Sequence, residues 1–327
     1  MQAILVKQAG GPDQLGLGQA PIPILGPEEL LVEVAATALN RADLLQRAGH
    51  YPPPKGESPI LGLELAGTVV EKGINVHRWK KGDRVCGLVG GGAYAQYAKI
   101  HQDMALSIPD GLNFQEAAAI PEVFLTAYQA IHWLSKLEEQ ERILIHAGAS
   151  GVGTAAIQLA ARLDAEIFVT ASSHKHHLCR DLGAHYCIDY KEDSFSDFIL
   201  DLTEGQGVQV VIDFIAADYF KDNLKVLSRN GRMVMLALLG GHRVEAPSLM
   251  PILMKHLTIM GSTLRSRSLE YKIALSKDLQ KHCWTGFETG ALKPVIDSIF
   301  PLAEVRQAHE RMEANKNQGK IILTVKG

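Results

Sequence analysis

The chain has 327 residues, is 46% hydrophobic and 21% charged, and carries a formal net charge of −3. Those numbers fit about two globular domains and exclude the strongly basic surface of a nucleic-acid or anionic-membrane binder. No stretch approaches the roughly 20 apolar residues of a membrane-spanning helix.

The opening MQAILVKQAGGPD has too short an apolar run for a secretory signal. Four scattered cysteines, Cys86, Cys179, Cys187 and Cys283, form no C-x-x-C pair and no zinc-ligand pattern. Free thiols in a reducing compartment, and so a cytoplasmic protein, are the expectation.

Up to about residue 119, glycine and proline punctuate short strand-like runs: LLVEVAATAL (30–39), LAGTVVEKG (65–73), DRVCGLV (83–89) and YAQYAKI (94–100). They predict an antiparallel, partly barrel-like domain. YPPPKGESP (51–59) reads as a loop, since Pro52–Pro54 lack the donors a central strand needs. From 120 to 265 the pattern alternates. A helix over 122–134 precedes a strand at 143–147, a helix over 153–163 and a strand at 166–171. A helix over 174–182, closed by Gly183, leads to a strand at 185–190. A helix near 193–203, strand 209–215, helix near 218–228, strand 232–238 and strand 257–264 complete the series, with MVMLALL (233–239) read as buried. Strand–helix alternation with continuously apolar strands predicts a doubly wound parallel sheet, the Rossmann α/β fold. In 266–327 the first style resumes, with PVIDSIF (294–300), a helix near 303–315 and KIILTV (320–325), which complete the first domain.

The stretch IHAGASGVGTAAIQLA (145–160) lies between a strand and a helix, where the dinucleotide fingerprint G-x-G-x-x-G belongs. Gly148 stands first and Gly153 third, while Ser150 replaces the second glycine. Backbone N–H groups around Gly151 and Val152 would hold a phosphate. An NAD site wants a carboxylate at the end of the next strand. Here that strand ends in Ser172, Ser173, His174 and Lys175, so hydroxyls and a cation await a 2′-phosphate, which points to NADP(H). Ser172 and Ser173 are equally placed to cap the following helix. His174, His176 and His177 lack an acidic or cysteine partner, and no metal site is expected.

These motifs, with ALNRADLLQRAGHYPPP (38–54), ILGLELAG (60–67), GGAYAQY (91–97), AAAIPEVFLTAYQ (117–129), STLRSRS (262–268) and MEANKNQGKIIL (312–323), carry a resemblance along nearly the whole chain. It resembles the zinc-free quinone oxidoreductases of the medium-chain dehydrogenase/reductase superfamily, above all the tumour-suppressor-inducible subgroup. The resemblance implies a GroES-like catalytic domain split around the Rossmann domain, with the active site in the cleft between them. It also implies NADPH-dependent reduction of quinones and a homodimer joined through the strand around 257–264. Zinc alcohol dehydrogenases have a cysteine where ALNRAD has Asn40, and a histidine in a G-H-E motif that reads Gly62-Leu63-Glu64 here. The loop for structural zinc is absent as well.

The resemblance further implies catalytic roles for Tyr51, as proton donor to the acceptor oxygen, and for Asn40 at the vacated ligand position. Thr126 is implied beside the nicotinamide, with Lys175 and Tyr190 bracketing the 2′-phosphate. Leu264, Arg265 and Asn315 are implied at the cofactor. A buried helical threonine remains open for Thr126, a packed loop residue for Tyr51, and a solvated or dimer-interface charge for Arg265 and Arg267. Asp43 is expected to orient Arg41 or Arg47, and Glu64 to be structural. Two other functions share these features: a zinc-free alkene or enoyl reductase, and a non-catalytic NADPH sensor or scaffold.

Overall fold

The computed structural model describes residues 1–325. The chain divides into two compact units: Met1–Leu125 with the chain from Arg265 onward, and Thr126–Leu264. The first unit begins with β1 (Gln2–Val6) and β2 (Leu15–Gln19), an antiparallel pair. Then come β3 (Glu29–Ala38), α1 (Arg41–Arg47), β4 (Glu64–Lys72), β5 (Arg84–Leu88), β6 (Tyr97–His101), β7 (Leu106–Ser107), α2 (Phe114–Ala118) and α3 (Pro121–Tyr128).

The second unit carries β8 (Arg142–Ile145), α4 (Gly151–Ala161), β9 (Glu166–Thr170), α5 (His176–Asp181), β10 (Tyr186–Ile188) and α6 (Phe195–Leu202). It continues through β11 (Val208–Asp213), α7 (Phe220–Val226), β12 (Leu227–Met235), α8 (Met250–Met254) and β13 (Thr258–Gly261). The last stretch adds α9 (Leu269–Thr289), β14 (Ile296–Pro301), α10 (Val305–Glu313) and β15 (Lys320–Thr324).

In the first unit the strand order is β14-β15-β3-β4-β5-β7, with β6 also paired to β3; the pairings are antiparallel except that of β14 with β15. Along β3, Leu30, Val32, Val34, Ala36 and Ala38 are fully buried, the period-two face of a strand over a core. The second unit holds one parallel sheet, β10-β9-β8-β11-β12-β13. That is the doubly wound order, which reverses direction between β8 and β11 and places ligands beyond the carboxyl ends of those strands. Its central strands are buried on both faces, as Ile143–Ile145, Ile167–Val169 and Val210–Ile212 show.

Several elements depart from the expectations. The helix expected near 218–228 ends at Val226, and β12 begins at once. An irregular stretch with Asn230 in the left-handed region precedes regular pairing, which starts with Arg232 opposite Val210. The run MVMLALL is strand only as far as Met235; Leu238 and Leu239 emerge exposed beyond the sheet. The helix expected over 174–182 opens as a 3-10 turn, Ser173–Lys175, before α5. The sequence reading assigned no elements to the β1–β2 pair, α1, α8 or the 21-residue α9. The signals of α9 are its caps: Ser268 accepts from Tyr271 N–H, and Gly290 ends the helix in the left-handed region at φ 77°.

Candidate functional site

In the second unit, β8 gives way at His146 to the turn that enters α4. Ala147 takes the left-handed conformation at φ 49°, so an alanine makes the sharp bend immediately before the first glycine of the fingerprint. Gly148 packs on β9, where a Cβ would meet the Val169 Cβ at 2.8 Å; at Gly153 a Cβ would meet the Ala147 carbonyl oxygen at 2.4 Å. The helix can therefore approach the turn closely. Ser150 is the N-cap of α4, and its Oγ accepts from Gly153 N–H at 3.1 Å. The N–H groups of Gly151 and Val152 carry no hydrogen bond among the described residues, and they stand at the positive end of an 11-residue helix. Open N–H groups at a helix N-terminus suit an anion.

Beneath the turn lies a buried polar network that the sequence reading missed. Taking Thr170 and Asn223 as its partners, the His146 ring receives Thr170 Oγ1 at Nδ1 (3.0 Å) and reaches Asn223 Oδ1 from Nε2 (2.8 Å). Asn223 Nδ2 donates on to Asp213 Oδ2, and Asp213 accepts the N–H groups of Ile215 and Ala216. Burial holds the His146 imidazole below its ordinary pKa, against the pull of Asp213. The network ties together the ends of β8, β9 and β11. Its only sequence signal is a histidine inside the apolar run ILIHA.

At the end of β9, Ser172, Ser173 and Lys175 occupy one tight turn. Ser172 Oγ lies 3.2 Å from the Tyr190 hydroxyl, so the fold brings those two residues together. The helix-cap reading of Ser172 is not what forms: its side chain makes no cap hydrogen bond. A carboxylate is present after all, just beyond the neighbouring strand. Asp189 Oδ2 accepts Ser173 N–H at 3.0 Å and Oδ1 accepts Lys191 N–H at 3.1 Å. Those backbone donors hold the Asp189 carboxyl below its usual range. Asp189 therefore braces the turn from β10, a role invisible in sequence because it comes from the next βα unit. Thr126 is buried in α3, one turn ahead of Gln129, which accepts from Ser262 Oγ at 3.2 Å; Leu264, also buried, closes the second unit.

In the first unit, Asn40 stands at the head of α1 within a closed polar cluster. Lys320 Nζ, almost fully buried, donates to Asn40 Oδ1 and Glu64 Oε1 at 2.7 Å and to Leu39 O at 2.8 Å. Asn40 Nδ2 donates to Glu64 Oε1 at 2.8 Å, and Glu64 Oε2 accepts Glu122 N–H at 2.8 Å. Glu64 is structural, and the cationic charge beside it is the Lys320 ammonium.

Asp43 does not orient Arg41 or Arg47. Its oxygens accept Asn40 N–H at 2.8 Å and Gly62 N–H at 2.9 Å. Burial raises its carboxyl to about 6. Arg41 pairs with Asn315 instead, and Arg47 with Glu313, His309 and Gly10 O. Arg265 is buried rather than solvated. It donates to Gly90 O at 2.7 Å and Gln46 Oε1 at 2.7 Å, and lies 5.4 Å from the centre of the Tyr51 ring. This clamp fixes the proline-rich loop at Tyr51, whose phenol burial pushes above its ordinary pKa, against the opposing effect of Arg265.

Two family models match the chain: "Alcohol dehydrogenase GroES-like domain" over residues 26–110 and "Zinc-binding dehydrogenase" over residues 151–278. A quinone oxidoreductase of Lama guanicoe is 32% identical over 331 residues, covering 100% of this chain and 98% of that protein. The chain belongs to the medium-chain dehydrogenase/reductase superfamily. Within that superfamily it is an oxidoreductase with quinone oxidoreductase relatives. A highly reducing polyketide synthase of Cordyceps militaris is 33% identical over 309 residues, but the chain spans only 12% of its length. Among solved structures, the Escherichia coli quinone oxidoreductase complexed with NADPH superposes with a TM-score of 0.90 at 28% identity, covering 99% of this chain and 100% of that one. The CurK enoyl reductase superposes at 0.87 and 28% identity, covering 99% and 98%.

The zinc in one family description finds no fitting donor set at Asn40 and Glu64. The oxygens of Glu64 and of Asn40 are already taken, and a second cation there would face the Lys320 ammonium.

Proposed function

We propose that the chain is an NADPH-dependent quinone reductase. The turn at the end of β9 carries this reading. Ser172, Ser173, Lys175 and Tyr190 gather hydroxyls and a cation there, while the nearby Asp189 carboxylate is engaged by backbone N–H groups. That chemistry receives a 2′-phosphate and leaves no carboxylate to bind a ribose 2′-hydroxyl. The pyrophosphate belongs on the open N–H groups of Gly151 and Val152, between Gly148 and the Ser150 cap, with Thr126 and Leu264 as further cofactor contacts of the same unit.

Bound NADPH supplies the hydride. In the first unit, Tyr51 is the proton donor to the acceptor oxygen that gains negative charge, its phenol being protonated at neutral pH. The Arg265 clamp presets its position, and Asn40, held by Lys320 and Glu64, fixes the chain at the head of α1. An already electrophilic quinone needs no Lewis acid. The full-length quinone oxidoreductase relatives and the NADPH-complexed structural neighbour support this reading.

An alkene or enoyl reductase is the second reading, favoured by the CurK neighbour and the polyketide synthase matches. The deciding experiment is steady-state NADPH oxidation with 1,2-naphthoquinone and with enals. Faster turnover of the quinone is expected; turnover of enals alone selects the second reading. Tight NADPH binding with no turnover of either selects a sensor.

We further propose a cytoplasmic homodimer paired at β13. That strand ends its sheet, and Leu249, Met250, Leu253 and Met254 on and beside α8 are exposed. Light scattering at micromolar concentration should give twice the chain mass.

A further inference from the structure

Two cysteines of the second unit lie outside the chemistry described so far. Cys179 is fully buried in α5, and Cys187 is half-buried at the middle of β10, the strand that ends the parallel sheet. The Cys187 thiol reaches the first residue of α5, donating to His176 O at 3.7 Å, and Cys179 stands one helical turn beyond that residue. The two thiols face each other between α5 and β10, each the strongest electrostatic influence on the other.

We propose that Cys179 and Cys187 are an oxidisable dithiol, closed to a disulfide by hydroperoxides, that reshapes the turn at the end of β9. The thiol contact, followed by burial, raises Cys179. The same contact holds Cys187 below its ordinary pKa despite burial, so the more accessible sulfur is also the better thiolate. The Cys187 thiolate attacks hydrogen peroxide, forming an S–O bond and breaking the O–O bond to give a sulfenic acid and hydroxide. The Cys179 sulfur then forms the S–S bond as the S–O bond breaks, and its thiol proton leaves with the oxygen as water. Two electrons pass from the dithiol to the peroxide.

The new bond fastens the middle of β10 to the second half of α5. Those two elements also carry the two sides of the turn. Ser172–Lys175 leads directly into α5, while Asp189 and Tyr190 follow β10 and hold Ser173 N–H and the Ser172 hydroxyl. Movement of α5 against β10 therefore reaches the site assigned to the 2′-phosphate, a consequence that rests on the NADPH reading above.

The test treats the full-length protein with hydrogen peroxide, blocks free thiols, digests it and reads the peptides by mass spectrometry. A 179–187 cross-link with loss of two hydrogens is expected, reversible by dithiothreitol and absent in Cys187→Ser, with Cys86 and Cys283 still alkylated. NADPH affinity, measured by fluorescence titration, should fall roughly fivefold or more in the oxidised wild type, the lower end of ordinary coupling between sites. It should be unchanged in equally treated Cys187→Ser. A Cys187 sulfinic acid without a cross-link, or a disulfide to another cysteine, overturns the dithiol. A cross-link with unchanged NADPH affinity overturns the coupling to the turn. Failure of the reduced protein to bind NADPH overturns the cofactor reading instead, and the mass spectrum still decides the dithiol.

Discussion

The polar cluster around Asn40 and the turn system around α4 are built to opposite plans. In the first, a lysine, a glutamate, an asparagine and an aspartate are buried together and satisfy one another and nearby backbone groups. In the second, polar groups are braced from behind by His146, Asn223, Asp213 and Asp189, while the N–H groups of Gly151 and Val152 stay open. A closed cluster makes a rigid frame, because removing Lys320 or Glu64 strands the buried charge of the other. An open one receives a ligand's charge, because its donors are oriented before the ligand arrives.

The sharpest way to break this contrast is to open the closed cluster. Glu64→Ala leaves the Lys320 ammonium buried without its carboxylate, and should cost about 3–5 kcal/mol. Urea unfolding checks it; a loss below about 1 kcal/mol would show that the cluster is not a frame.

Next in size is a pH effect within the same unit. His309 Nε2 lies 3.5 Å from the Tyr94 hydroxyl and its Nδ1 3.0 Å from Arg47 Nη1, and burial followed by Arg47 drives the imidazole down from 6.5 to about 3. Between those values the unfolded chain binds a proton that the folded chain refuses, so this residue removes stability as pH falls below 6.5. Asp43 acts oppositely. Its carboxyl, raised from 3.8 to about 6, is protonated sooner in the folded state, and it adds stability as pH falls through that window. Relative to wild type, His309→Gln should therefore gain on the order of 3 kcal/mol between pH 7 and pH 4. An equal wild-type-to-variant difference at both pH values would mean that the folded imidazole is charged.

The open cluster is tested by its charge. Lys175→Ala should weaken NADPH binding by about 1.5–3 kcal/mol, the range of a charge-assisted hydrogen bond, and leave NADH almost unaffected. Equal losses would place the 2′-phosphate elsewhere. Smallest is the cap of α4: Ser150→Ala should cost about 1 kcal/mol of stability. The bulkier Ser150→Val should in addition raise the KM for NADPH. An unchanged KM would reduce Ser150 to a small residue that merely fits.

Much of this was legible from residues near one another in the chain. Strand–helix alternation after residue 120 gave the parallel sheet, because each βα unit carries its own period and its own turn. The pairing of Ser172, Ser173 and Lys175 in one turn, and the helix start after Ser150, are local in the same way. What escaped depended on distant segments. α9 was missed because its buried residues, Leu275, Leu279, Cys283 and Phe287, are diluted among polar ones, and only its caps mark its ends.

By itself, then, the sequence determined the two-part architecture, the strand–turn–helix around Ser150 and the absence of a carboxylate directly after β9, since each is set by residues within one supersecondary unit. Tertiary structure decided what those residues do with their hydrogen bonds. Lys320 reaches Asn40 and Glu64 across more than 250 residues of chain. Asp189 crosses from β10 to brace the turn after β9, and Arg265 returns to clamp Tyr51. The physical reason is the same in each case: a buried charge must find its partner in space, and chain separation places no limit on where that partner lies.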